Sequence, residues 1–476
     1  MPARLMPDTA TKLMGAVFLA ALAFAFIAHS GVLKTYFWDE DDFAYLGKAT
    51  NSDSPSYIFD ADTRIQGFPR PLVHLYFFLL SRICGTVHTC YFLANLLLYA
   101  LSASLLARLI LRLFGSWRIA LMAALLYITG PCLVESMYWL AAGATGFLCS
   151  LFFLLSLNLY ADFSLNRRVG YLAAALVAAI LAMAAKESAA SLPLLVAMIE
   201  LHRRGKLRGA LRYLIPFAVL VAAFFALEVS IQLGYPQAGN FSRYSLGWHV
   251  GRNWMQLVLF PLAGPLPPYV GAIPWLKVVL LSLLWFSPLA LGPDRARRLT
   301  LFGLGWSVLT AIPFLGWETA ITDAFVRYFN IPFMGSTLIL TGFLVALRHR
   351  FGRYAGAASA VAVPALFIGF GMHWAYERLD DTLQIAQTEL NILEAAREAW
   401  NQQNYLYIGF FGLYEERVEN YNRVYFDNRL VQVDALPQSP RPGALMLNGP
   451  TESPKLLRYN DGGWEVVRRY GSFEAD

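Results

Sequence analysis

The chain has 476 residues, of which 57% are hydrophobic and only 15% charged, and its mean hydropathy is +0.47. A water-soluble protein of this length needs more charged surface, so composition excludes an ordinary soluble enzyme and points to lipid as the solvent. The formal charge of +6 is not a nucleic-acid signature here, because the basic residues fall in short clusters between apolar runs.

Those clusters are Arg108/Arg112/Arg118, Arg167/Arg168, residues 202–212, Arg295/Arg297/Arg298 and Arg348/Arg350/Arg353. Such spacing is the positive-inside pattern, and placing every cluster in the cytoplasm orients the chain. The first apolar run follows Lys12 and has no convincing cleavage site before Lys34, so it reads as an uncleaved span over 12–33. An outer loop over 34–87 follows, with an amphipathic or partly inserted piece at Pro71–Ile83. Spans at 88–110, 118–134, 137–161, 169–185, 188–201 and 213–233 come next, then a second outer loop at 234–273. Spans at 274–292, 299–317, 328–347 and 354–373 complete an all-α polytopic bundle of about eleven membrane helices.

From about residue 375 the charge rises. Leu383, Leu390 and Leu393 suit a water-exposed amphipathic helix, and YLYIGFFGLY, RVYFDN, RLVQVDAL and WEVVRRY read as short strands. The expected organisation is a membrane domain over 1–374 and a small α+β domain over 375–476 on the outer face. No solenoid repeat is evident. Cys84, Cys90, Cys132 and Cys149 lack metal-ligand spacing. Cys84 and Cys90 could join on an oxidising face, although packing is the expected role.

With this topology, the polar residues that are costly in a membrane gather at the outer boundary. Asp39, Glu40, Asp41 and Asp42 follow the first span in WDEDDFAYL, and Arg64, Arg70 and His74 lie in the same outer loop. Glu135 and Trp139 occupy the turn VESMYWLAAG, Lys186 and Glu187 the turn AAKESA, and Arg327 and Tyr328 precede a late span in VRYFNIP. Singly, each charge can face headgroups, and the aromatics can form an interfacial belt. Together they offer a carboxylate to take a proton from an attacking hydroxyl and cations to stabilise a departing phosphate. Repulsion among four adjacent acids also makes it improbable that all of them act alike. The sequence has no HExxH, Walker loop, dinucleotide glycine fingerprint or serine elbow, which disfavours an ATP-driven machine or a nucleotide-sugar enzyme.

Six motifs in order, WDEDDFAYL, FPRPLVHLYFFL, NLLLYALSA, VESMYWLAAG, AAKESAASLPLL and VRYFNIP, span about residues 35–347. In this set the chain resembles the polytopic GT-C glycosyltransferases that use polyprenyl-phosphate sugars. The nearest branch holds the protein O-mannosyltransferases, the lipid A aminoarabinose transferases and bacterial relatives of tetratricopeptide-bearing mannosyltransferases. The resemblance implies a base in the first outer loop, at Asp39 by one alignment or Asp41 by another, with Asp42 and Glu40 beside them. Its phosphate-side cations correspond to Arg327 and Lys186, with Arg70 the weaker match.

The implied reaction is inverting transfer of a sugar from a polyprenyl-phosphate carrier to a hydroxyl of an envelope glycan, glycolipid or protein. It would take place on the periplasmic side of a bacterial inner membrane, with the N-terminus cytoplasmic and the C-terminal domain periplasmic. No cofactor is demanded, and the abundance of carboxylates leaves room for a divalent cation. Two other readings use the same features: a ligase or polymerase fed by a lipid diphosphate, and a lipid or solute transporter without transferase activity.

Overall fold

A computed structural model describes residues 7–34, 40–50, 52–59, 70–130, 133–205, 211–233, 247–251, 253–254, 283, 286–315, 326–352, 354, 358–359, 361–363, 365–366, 369, 373, 407–409, 455–460 and 463–469. The chain divides into two compact units. The first comprises Met1–Gly31, Gln66–Val73 and Tyr91–Leu379, and the second Val32–Ile65, His74–Cys90 and Asp380–Asp476.

The first unit is a helical bundle. Its long helices are α1 (Pro7–His29), followed past α2 (Glu40–Thr50) and α3 (Pro71–Cys84) by α4 (His88–Phe114), α5 (Trp117–Ile128), the single turn α6 (Val134–Tyr138) and α7 (Leu140–Asn166). Then come α8 (Val169–Ala185), α9 (Leu192–Arg204), α10 (Leu211–Leu233), α11 (Asp294–Ala311) and α12 (Asn330–Gly352). Among the described residues, five segments are long and apolar enough to cross a membrane: Asp8–Leu33, His88–Phe114, Leu140–Asn166, Leu211–Ser230 and Asn330–Gly352.

The remaining expected spans are shorter or only partly described. α5 has 12 residues and α9 has 13. At about 1.5 Å per residue, neither reaches the roughly 30 Å of a hydrocarbon core unaided. The reason is visible in the chain. Glu135 lies in the separate turn α6, and Lys186 adopts an extended backbone (φ −161°, ψ 141°) that ends α8 before the 3-10 turn Glu187–Ser191 begins. Protein covers the break, and Ser188, Ala189 and Ser191 are all buried.

α7 is the axis of this unit, buried along most of its length, as is α12. α8 folds back along α7 through Arg167 and Arg168, Arg167 taking a left-handed backbone at φ 55°. Its inward face is Ala175, Ala178, Ala179, Ala182 and Ala185, small side chains that let two helices approach closely. Ser156 Oγ donates to the Ala175 carbonyl at 2.8 Å across that contact. α11 and α12 meet through glycines. A Cβ on Gly303 would stand 2.5 Å from the Gly335 carbonyl, and one on Gly335 would stand 2.5 Å from the Gly303 carbonyl. α10 is the least buried of the long helices, as suits a helix facing lipid.

In the second unit, α2 buries Asp42, Tyr45, Leu46 and Ala49, positions spaced three and four apart on one helix face. Cys84 and Cys90, expected to be packing residues, are instead joined in a disulfide with a Cα–Cα separation of 6.0 Å. Six residues and one tight turn bring them within bonding reach. The C-terminal strands β1 (Tyr407–Gly409), β2 (Lys455–Asn460) and β3 (Gly463–Arg469) form an antiparallel sheet in the order β1-β2-β3. β1 and β3 fall in two of the segments read as strands, while β2 was not among them. The amphipathic helix expected near 383–396 and the segments RVYFDN and RLVQVDAL lie outside the described residues.

Candidate active site

The breaks in the bundle gather at the end where α7 starts. α6 packs on α7 and on the 3-10 turn Val326–Phe329, and the turn Glu187–Ser191 packs on α7 and on Ile312–Phe314. An extended residue sends its side chain away from that of its neighbour, so Lys186 and Glu187 separate although they are adjacent. Glu187 Oε2 accepts from Arg70 Nη2 at 3.3 Å, with the two side chains 12% and 15% exposed. Lys186 is buried, and its ammonium lies 4.6 Å from the centre of the Tyr328 ring. Tyr328 in turn packs on Phe314 at 5.2 Å. Burial alone would raise the affinity of Glu187 for a proton. The Arg70 guanidinium and the Lys186 ammonium outweigh it and hold the carboxyl below its usual range, so Glu187 is ionised.

The site therefore brings together four of the residues singled out in the sequence, Arg70, Lys186, Glu187 and Tyr328. Glu135 lies on α6 and Trp139 caps the same turn, its N–H donating to the Glu135 carbonyl at 2.9 Å. Arg327 lies on the turn Val326–Phe329, directly before Tyr328. Asp39 and Arg64 lie outside the described residues.

The other first-loop residues belong to the second unit and form a group of their own. Asp42 is fully buried on α2, whereas Asp41, one residue earlier, is only partly buried. Glu40 opens the same helix. His74 is buried against Tyr45, ring centres 4.7 Å apart, and Tyr45 stacks on Phe77 at 5.1 Å. The Tyr57 hydroxyl donates to the His74 carbonyl at 2.9 Å. Burial, then the neighbouring Tyr45, pushes the Tyr57 phenol above its usual range, so it serves as a donor. His74 is thus part of an aromatic core rather than an isolated surface cation. Among the described residues, no three His, Cys, Asp or Glu side chains are grouped to hold a metal ion.

Sequence reasoning missed two sets of polar residues in the helical unit. At the α7 start, the Tyr127 hydroxyl donates to Asn330 Oδ1 at 2.8 Å, Asn95 Nδ2 donates to the Leu140 carbonyl at 3.0 Å, and His29 pairs with Tyr138 at 3.2 Å. Asn95 and Asn330 stand inside the quoted motifs NLLLYALSA and VRYFNIP, and an amide within an apolar run was the available signal. A Cβ on Gly143 would stand 2.3 Å from the Ser136 carbonyl, so glycine is what lets α6 turn tightly into α7. At the opposite end, Asp162 meets Arg108 at 3.3 Å and also Arg112, while buried Glu200 meets Arg204 at 2.8 Å and Arg167 at 3.8 Å. The Tyr160 hydroxyl donates to Glu200 Oε1 at 3.2 Å.

No family model and no curated protein matches the chain. Among solved structures, the crystal structure of ArnT from Cupriavidus metallidurans bound to undecaprenyl phosphate matches over 87% of this chain and 88% of that one, with a TM-score of 0.51 and 15% identity. At that identity the likeness is one of fold. The chain thus shares the fold of ArnT and, among the described residues, carries five helices long and apolar enough to cross a membrane.

Proposed function

We propose that this protein is a membrane glycosyltransferase that moves a sugar from a polyprenyl-phosphate carrier to an acceptor hydroxyl, inverting the anomeric centre. The observation that carries the proposal is the pair of inward-facing cations, Arg70 and Lys186, at one end of an ArnT-like bundle. The carrier bound in ArnT is undecaprenyl phosphate, and a partly buried guanidinium beside a buried ammonium supplies the charge that a departing phosphate needs. Arg327 is assigned to the same anion. Tyr328 fixes the Lys186 ammonium by its ring face, and Glu187 fixes Arg70. Glu135 and Trp139 are assigned to the wall of the sugar subsite, and Arg64 to the first-loop approach.

In the transfer, the acceptor oxygen forms a bond to the anomeric carbon as the carbon–oxygen bond to phosphate breaks. The bonding pair leaves with the phosphate, and the hydroxyl proton passes to a first-loop carboxylate. Asp41 is assigned as that base. Its partial exposure supports it over the fully buried Asp42, and Asp39 is the alternative on sequence grounds. One direct displacement inverts configuration. No step is routed through a metal.

The reaction is assigned to the periplasmic face of a bacterial inner membrane, with residues 375–476 as an outer domain. The Cys84–Cys90 disulfide supports an oxidising compartment for the turn that carries it.

The test supplies purified protein with defined polyprenyl-phosphate hexoses and envelope fractions as acceptors, and compares wild type with Asp41→Asn, Asp39→Asn and the double variant. Transfer lost in Asp41→Asn and kept in Asp39→Asn is expected. Full transfer in the double variant would remove the base assignment. Turnover of a polyprenyl diphosphate alone would replace the proposal with a ligase or polymerase. Carrier movement without sugar transfer would replace it with a transporter.

A further inference from the structure

The chain enters α12 from a helix of another pitch. Val326–Phe329 is a 3-10 turn, and α12 begins at the next residue, Asn330. A 3-10 helix turns about 120° per residue and an α-helix about 100°. The residue at which one becomes the other therefore decides where Tyr328 points, and Tyr328 is the ring 4.6 Å from the Lys186 ammonium. This junction is clamped from two sides. From α11, Trp306 Nε1 donates to the Ile331 carbonyl and Ser307 Oγ to the Pro332 carbonyl, both at 2.9 Å. From α5, the Tyr127 hydroxyl donates to Asn330 Oδ1 at 2.8 Å, with Tyr127 and Asn330 both buried. The bonds from α11 reach main-chain oxygens that any residue offers, whereas the bond from α5 depends on the side chain at position 330. It also orients the carboxamide. With Oδ1 turned to Tyr127, Nδ2 faces the corner of α6 and α7, where a Cβ on Gly146 would stand 3.4 Å from it and 3.8 Å from Ser136 Oγ.

We propose that Tyr127 and Asn330 are a pair of positioning residues for Lys186: their hydrogen bond fixes the junction of the 3-10 turn with α12, and so keeps the Tyr328 ring against the ammonium. Moving the junction by one residue turns Tyr328 by about 20°. A ring attracts a cation only within about 6 Å of its centre and over its face, so such a turn takes the ring edge-on and releases the ammonium. Tyr127 and Asn330 act through Tyr328 and need not touch a ligand. That Lys186 in turn serves an anionic headgroup rests on the proposed function, while the control of the Tyr328–Lys186 contact by Tyr127 and Asn330 does not.

The test therefore has two arms. In the first, without ligand, the protein is labelled with carbon-13 at the lysine ε position, and the Lys186 signal is identified by its loss in Lys186→Met. The Tyr328 ring current shifts the Lys186 ε protons upfield, and Tyr328→Leu gives their position without it. Tyr127→Phe and Asn330→Ala should each carry the signal at least halfway to that position. Tyr99→Phe is the control, because it removes another buried hydroxyl bond on α5, to the Ile128 carbonyl at 2.5 Å. It should lower the thermal midpoint about as much as Tyr127→Phe and leave the signal in place. An unmoved signal in Tyr127→Phe, or an equal movement in Tyr99→Phe, would overturn the proposal. If Asn330→Ala does not fold, Tyr127→Phe, which removes a single oxygen, decides alone.

In the second arm, binding of decaprenyl phosphate to protein in nanodiscs is measured. Tyr127→Phe should weaken it about threefold to tenfold, the scale of one net hydrogen bond, and Tyr99→Phe should leave it unchanged. Equal affinity in Tyr127→Phe and wild type would overturn the link from the pair to the headgroup. If wild type itself fails to bind the lipid, the phosphate reading of the site falls, and the first arm alone decides whether Tyr127 and Asn330 position the ring.

Discussion

Where α7 stops, carboxylates and arginines are fully engaged with one another. Asp162 meets Arg108 and Arg112, Glu200 meets Arg167 and Arg204, and further arginines take up helix-end carbonyls. Arg203 donates to Ala161 at 2.6 Å, Arg204 to Ser164 at 3.4 Å and Arg295 to Phe114 at 3.1 Å. The Ser164 and Phe114 carbonyls belong to the last turns of α7 and α4, where the final acceptors lack intrahelical donors, and cations suit the negative end of the helix dipole. Where α7 starts, the same residue types are arranged differently. Arg70 meets Glu187, and Lys186 lies over the Tyr328 ring. The first arrangement closes helices. The second pairs one arginine with one acid and sets a lysine against a ring face.

The comparison is broken most sharply by activity. Arg70→Ala and Lys186→Met should each lower transfer from a polyprenyl-phosphate sugar by about 10²–10³, the scale of one lost donor to a developing anion, in protein that still folds. Glu200→Gln should leave the transfer rate of folded protein unchanged. Equal losses at both ends would show that the whole bundle, not one end, governs the reaction.

Stability should show the reverse. Glu200→Ala strips a fully buried carboxylate from Arg167, Arg204 and Tyr160. Breaking a buried pair costs about 3–5 kcal/mol, and the partial exposure of both arginines brings the expected loss to about 2–3 kcal/mol. The denaturant midpoint of the purified protein measures it. Glu187→Gln should cost less, and its cost should depend on pH. The folded carboxyl is held below its usual range by Arg70 and Lys186. Its contribution is therefore fully present above the unfolded value of about 4.3 and is lost as pH falls through the depressed folded value. Wild-type and Glu187→Gln midpoints should differ at neutral pH and converge as pH falls through the depressed folded value. A gap that widened in acid would reverse the sign of the interaction.

How much of this was legible differs between the two ends for a physical reason. The bundle was legible because apolar length and basic clusters are local signals, and the α7–α8 pair follows from a two-residue connector. At the α7 start, Lys186, Glu187, Arg70 and Tyr328 stood out because each interrupts an apolar run or borders one. Their pairing was not legible. It depends on Lys186 adopting an extended backbone, so that adjacent residues face different partners. Asp162 and Glu200 were missed because arginine clusters were read only as orientation signals, although a carboxylate inside an apolar helix demands a cation. The disulfide was named but ranked behind packing, because six residues of spacing do not show whether a turn closes.

The smallest expected effect tests the closing role itself. Arg295 is exposed on the first turn of α11 and reaches back to the last carbonyl of α4 at 3.1 Å. A cation at a helix C-terminus in water contributes about 0.3–1 kcal/mol, and salt screens it. Arg295→Ala should therefore lower the thermal midpoint slightly in dilute buffer, by less in 1 M salt, and should leave transfer untouched. Lys186→Met, whose ammonium is buried against a ring, should keep its full loss of transfer at either salt, because water and ions do not reach the contact. If Arg295→Ala instead reduced transfer in proportion to its effect on the midpoint, closing the far helix ends would be part of shaping the site, and the two ends would act as one device.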